Sequence, residues 1–192
     1  MMNGVTHSPR MLVHASLMAA LIAVGAFVSI PIGPVPIVLQ NLFVFVAALL
    51  LGPRWAVVSV GVYLLAGACG LPVFAGGTGG LGRLVGPTGG YLIGFWVAAG
   101  ITGLIGRWAK QRVALEVLAM VAGSIVIYVP GVLWLQWVTG IPLAQALAVG
   151  CYPFLPGDAL KIAAAIPIVR AVRPLLGSGT IGMRPPARSE SP

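Results

Sequence analysis

The sequence predicts an all-α integral membrane protein with six transmembrane helices and both termini on the inner side. Three observations carry this. The chain holds 11 Lys/Arg and 3 Asp/Glu among 192 residues, so 7% of it is charged, where soluble domains average about 25%. Hydrophobic residues make up 59%, and the mean hydropathy is +1.04. Long apolar runs recur from end to end, and at about 20 residues per span the length leaves room for five to seven helices. A soluble globule, intrinsic disorder, a collagen-like repeat and a disulfide scaffold are all excluded. The runs are continuously apolar rather than alternating, which argues against a β-barrel.

Residues 1–9 read as a short polar tail, 10–173 as the membrane domain and 174–192 as a disordered tail rich in Pro, Ser, Gly and Arg. Span 1 covers 11–30. Arg10 before an apolar run resembles a signal peptide, but the run is about twice a usual h-region, so a retained helix is expected. Pro31, Pro34 and Pro36 then form a compact turn. Span 2 covers 37–51 and is ended by Gly52-Pro53; span 3 covers 54–69. A glycine-dense stretch follows, in which eight of the fifteen residues from Gly76 to Gly90 are glycine. Span 4 covers 91–108. The basic patch Arg107, Lys110, Arg112 separates it from span 5, 114–138, which Pro130 is expected to kink. Residues 139–156 form a loop with a short helical piece near 143–149, and span 6 covers 157–173.

Orientation follows from the basic residues. With six spans and both termini inside, nine of them (Arg10, Arg54, Arg107, Lys110, Arg112, Arg170, Arg173, Arg184, Arg188) fall on the inner side. Only Arg83 falls in an outer loop, and Lys161 lies within span 6, as the positive-inside rule demands. The net charge of +8 therefore reflects topology, not nucleic-acid binding; the cations form no stripe interleaved with aromatics. Trp and Tyr residues near the span ends fit interfacial belts. Cys69 and Cys151 read as small apolar fillers near the outer face.

Asp158 and Lys161 are the most informative residues. A spacing of three puts them on one face of span 6, with Asp158 in the first turn, where the helix dipole favours a carboxylate. Ionisable side chains in a membrane span face protein or a cavity and mark a functional site; the competing reading is an ion pair that only orients the helix. Arg83, inside the glycine stretch, suits a carboxylate arriving from outside or a lipid phosphate. The glycine stretch reads as a surface loop or as a loop packed on a ligand; no Gly-Lys-Ser/Thr follows it, so it is not a phosphate loop. Gln40 and Asn41 are amides at the outer end of span 2, suited to a polar ligand ring or to interhelical bonding. Ala15, Ala19 and Ala23, with Ser16 and Ala20 beside them, form a small-residue face on span 1 that favours close helix packing, slightly more in keeping with the interior than with a partner. His-Glu-x-x-His, Cys/His metal spacing and Gly-x-Ser-x-Gly are all missing, and three acids leave little for paired-carboxylate chemistry. An enzyme, a metal site and a cofactor are not expected.

Five segments, in order, resemble one family: 34–41 (PVPIVLQN), 51–54 (LGPR), 70–77 (GLPVFAGG), 86–90 (GPTGG) and 153–161 (PFLPGDALK). Together they identify the chain as similar to BioY, the biotin-binding S component of energy-coupling-factor (ECF) transporters, over roughly 10–173. Members usually have Gln-Thr where this chain has Gln40-Asn41. The resemblance implies an S-component-like bundle in the cytoplasmic membrane, with biotin bound near the outer face and no cofactor. The implied substrate-binding set is Asp158, Lys161, Arg83, Gln40 and Asn41, with Gly77, Gly86, Tyr91 and Tyr152. The implied partners are a transmembrane coupling protein, contacted through Ala15, Ala19 and Ala23, and two ATPase subunits. The implied mechanism is toppling of the S component in the bilayer, so that its pocket swings inward. A solitary biotin carrier and a carrier of another small carboxylated vitamin are the alternatives.

Overall fold

The structure is a computed structural model that describes residues 9–31 and 34–177. Helix α1 (Pro9–Phe27) opens on a proline at its first helical position, where a missing N–H costs nothing. The chain then leaves the helix earlier than the apolar run suggests. Strand β1 (Ser29–Ile30) pairs antiparallel with β2 (Ile37–Val38), Ser29 opposite Val38 and Ile30 opposite Ile37. The proline-rich turn is thus the tip of a small hairpin.

Helix α2 (Gln40–Ala68) is 29 residues long but is broken at Gly52, which has φ 76° and ψ 177°. Only glycine takes that backbone without strain, and Pro53 supplies no N–H to carry the ladder across. The expected boundary between spans 2 and 3 is therefore present as a reversal. Contacts with α4 (Gly89–Trp108) show its sense. In the first half, Gln40 and Asn41 share a pocket with Phe95, and Leu49 packs on Gly106. In the second half the order runs backwards: Pro53 packs on Gly103, Val57 on Gly100, and the Trp96 indole N–H donates to the Val57 carbonyl at 3.1 Å. The two halves run in opposite directions on one face of α4.

Helix α3 (Leu81–Val85) is a single turn and a half within the glycine stretch, preceded by a bridge between Phe74 and Thr78. That stretch is more ordered than the expected loop. Helix α5 (Val113–Thr139) continues through Pro130 as one helix and packs on α4, which lies between α2 and α5. Helix α6 (Leu143–Gly150) and a 3-10 turn (Tyr152–Phe154) lead into α7 (Leu155–Gly177).

Helix α7 extends past the expected end at 173, so Pro174–Gly177 are helical rather than part of a tail. Tertiary contacts hold these turns despite Pro167 and Pro174. Asp158, Lys161, Ala165 and Val169 form a buried stripe at helical spacing. Arg173 donates to Glu116 of α5 at 2.7 Å and to the Leu49 carbonyl at 3.4 Å. The rest of the expected tails, residues 1–8 of 1–9 and 178–192 of 174–192, lies outside the described residues.

Among the described residues four helices are long and apolar enough to cross a membrane: α1, α2, α4 and α5. Exposed large apolar side chains line their outer faces, among them Leu17, Leu65, Ile93, Ile125 and Leu133. In water such faces would associate; against lipid tails they need no cover.

Candidate functional site

One end of the bundle holds a cavity where the first turn of α2, the first turns of α4, the middle of α5, the start of α7, the glycine stretch and the hairpin meet. It encloses about 660 Å³ of atom-free space, open solvent at its mouth included. Its walls are mostly apolar: Val35, Phe74, Leu92, Phe95, Ile127 and Phe154.

Asp158 and Lys161 face this cavity together. Asp158 is 5% exposed and Lys161 9%, and Lys161 Nζ donates to Asp158 Oδ1 at 2.9 Å. Asn41 Nδ2 donates to the same oxygen at 2.7 Å, and the Tyr128 hydroxyl donates to Asp158 Oδ2. The carboxylate therefore collects three donors from α2, α5 and α7. That makes it a clamp for its neighbours more than a free acceptor. Lys161 retains two further N–H donors beyond the one Asp158 takes.

Two buried amide atoms beside this cluster lack a hydrogen-bond partner among the described residues: Gln40 Nε2 and Asn41 Oδ1. Gln40 is 2% and Asn41 6% exposed. A buried polar atom left unpaired costs about 1–3 kcal/mol, and both residues line the cavity, so one amide donor and one amide acceptor there remain for a ligand to pair. Arg83, half-buried on α3, joins the lining. With Asp158 and Lys161 cancelling, the lining of the cavity carries one net positive charge and suits an anion.

Tyr91 lies on the cavity wall and donates its hydroxyl to the Gly150 carbonyl at 2.7 Å, tying α4 to α6. Six of the sequence-derived site residues thus converge: Asp158, Lys161, Arg83, Gln40, Asn41 and Tyr91. Three do not line the cavity. Gly77 turns at φ 69° next to Phe27, the Gly86 carbonyl is taken by the Trp134 indole N–H at 2.9 Å, and Tyr152 is 59% exposed. Gly77 and Gly86 shape the loop that carries Arg83, without touching the site.

The small-residue face of α1 also departs from the coupling-protein expectation. Ala15 and Ala19 are buried and Ala23 is half-buried, with α1 packed on α2. Their small side chains serve that internal packing, while Ser16, Leu17, Ala20 and Val24 face outward.

Sequence reasoning missed Tyr128 and the aromatic walls. Tyr128 carries the one hydroxyl within the run 125–129 (IVIYV), a signal that singles it out. Phe74, Phe95 and Phe154 give none, because an apolar wall residue and a core residue look alike in one dimension. Among the described residues no group of three or more His, Cys, Asp or Glu is placed to hold a metal ion.

A sequence profile of the BioY family matches residues 2–178. The chain is 43% identical to the biotin transporter BioY of Thermotoga maritima, over 86% of this chain and 97% of that protein. It is 40% identical to the probable biotin transporter BioY of Pyrococcus horikoshii, over 82% and 93%. Its fold superposes with a TM-score of 0.80 on the crystal structure of the S-component for biotin from an ECF-type ABC transporter, at 34% identity, covering 91% of this chain and 95% of that one.

Proposed function

Because this chain belongs to the BioY family, we propose that it is the biotin-binding S component of an ECF-type uptake system. The observation that carries the reading is the cavity itself. It is an apolar chamber with one net positive charge, lined by two residues that carry an unpaired amide donor and an unpaired amide acceptor. Biotin presents an apolar thioether ring, a ureido group with N–H donors and a carbonyl acceptor, and a carboxylate. Arg83 and Lys161 are the counterions for the carboxylate, Gln40 Nε2 and Asn41 Oδ1 complement a ureido edge, and the aromatic walls take the ring. Asp158 and Tyr128 position Lys161 and Asn41.

The proposed topology has six spans, with α2 contributing two through its reversal at Gly52, and with both termini in the cytoplasm. The biotin cavity then opens at the outer face of the cytoplasmic membrane. A coupling protein and two ATPase subunits drive the pocket inward, and docking of the coupling protein falls to the outward face of α1 around Ser16 and Ala20. Uptake by this route involves no chemical change in the solute, so the chain acts as a carrier subunit rather than an enzyme. Titration of the detergent-purified chain with biotin tests the reading. Saturable one-to-one binding, lost on Lys161→Ala in a protein that keeps its helicity, is expected; equal affinity in both proteins overturns the site.

A further inference from the structure

The end of the bundle opposite the biotin cavity holds a second cavity that the transport reading does not use. It lies at the break in α2, lined by Leu49, Leu51, Pro53, Arg54, Gly106 and Arg107 among others, and encloses about 690 Å³ of atom-free space including its mouth. The close approach of Gly103, where a Cβ would sit 2.6 Å from the Pro53 nitrogen, forms one side. The Arg107 stem passes over Gly52, with Cδ 3.9 Å from where a Cβ on Gly52 would lie.

Two guanidinium groups, Arg54 and Arg107, line this space. The chain has three acids. Asp158 is paired with Lys161 and Glu116 with Arg173; Glu190 lies outside the described residues. Arg54 and Arg107 form no hydrogen bond or ion pair among the described residues. Both are exposed, and with no acid of the fold paired to them their donors are left to water or to an anion from outside the fold. The second half of α2 begins beside them at Pro53, so its first free N–H groups add positive potential to the same space. The flanking apolar helices place the cavity at a membrane interface, on the side where basic residues gather.

We infer that this cavity binds a phosphate oxyanion between Arg54 and Arg107, each guanidinium offering a planar two-pronged donor set that matches phosphate geometry. The phosphate is that of an anionic lipid headgroup in the inner leaflet or a free phosphate in the cytoplasm. The full chain in neutral detergent distinguishes them. Native mass spectrometry and thermal unfolding are measured with phosphatidylglycerol, with phosphatidylcholine and with inorganic phosphate alone.

For the lipid source, phosphatidylglycerol is retained and raises the unfolding temperature where phosphatidylcholine does neither, and inorganic phosphate fails to displace it. For the free source, inorganic phosphate alone produces the shift. In either case Arg54→Gln with Arg107→Gln lowers retention by roughly ten- to a hundredfold, the range for losing hydrogen bonds to a charged group. Lys110→Gln with Arg112→Gln, which removes the same charge outside the cavity, retains it. Arg54→Lys with Arg107→Lys, which keeps charge and stems, supplies a folded comparison with intermediate binding. The inference is overturned if the wild-type chain takes up neither phosphate source or if the Arg54/Arg107 glutamine variant binds as well as wild type. Equal loss in the Lys110/Arg112 variant, which would mean bulk charge alone, also overturns it.

Discussion

At the residue scale the account centres on Asp158. Its two oxygens accept from Lys161, Asn41 and Tyr128, so one carboxylate fixes the first turns of two helices against a third. Asp158→Asn removes the charge that holds Lys161 in a buried position. Unfolding free energy in detergent is expected to fall by about 3–5 kcal/mol, the cost of orphaning one member of a buried ion pair, and biotin affinity falls with it. Tyr128→Phe keeps the ring and deletes only the hydroxyl. Loss of a hydrogen bond to a charged group is worth about 1.5–3 kcal/mol, so calorimetry is expected to show biotin affinity roughly tenfold lower or more, with helicity unchanged. An unaltered affinity would mean that Tyr128 does not position the carboxylate. Asp158, Lys161, Gln40 and Asn41 were legible in the sequence because charges and amides are conspicuous in apolar runs. The shared oxygen of Asp158 was not legible, since spacing puts Lys161 one turn from Asp158 but says nothing of Asn41, 117 residues away.

At the element scale the reversal at Gly52 decides the architecture. It lets one 29-residue helix supply two antiparallel rods on α4, and it exposes the Leu49 carbonyl to Arg173. Gly-Pro punctuation made this break readable in advance, and the ends of α4, α5 and α6 likewise followed apolar periodicity. The hairpin β1–β2 and helix α3 were not readable, because elements of two and five residues are held by tertiary contact rather than by propensity. The end of α7 was misplaced for the same reason: Pro174 reads as a stop, yet the Arg173 anchor carries the helix on. Gly103→Ala would put a methyl 2.6 Å from the Pro53 nitrogen; overpacking of this kind costs about 1–3 kcal/mol, seen as a lower unfolding temperature. Glu116→Ala leaves Arg173 without its acid. The loss is expected near about 2 kcal/mol, below that of a fully enclosed pair, because the Arg173 side chain is 25% exposed.

At the scale of the whole molecule the two ends differ in charge and in purpose. One end gathers the proposed biotin cavity, Cys69 and Cys151; the other gathers Arg54, Arg107, Lys110 and the Glu116–Arg173 pair. The two free cysteines report the orientation. A membrane-impermeant maleimide applied to intact cells is expected to label exposed Cys69 readily and half-buried Cys151 slowly. Burial, then the Asp158 charge, pushes the Cys151 thiol up. Its reactive thiolate is therefore scarce at neutral pH, and its labelling keeps climbing as pH rises beyond the ordinary thiol range. Labelling of Cys69 only after the cells are broken would invert the proposed topology. The most direct test of the central claim is calorimetric titration of biotin into the purified chain and its Lys161→Ala variant. The account predicts one saturable site in the wild-type chain and an affinity lower by roughly ten- to a hundredfold in the variant. Indistinguishable isotherms from the two proteins, both well folded, would contradict it.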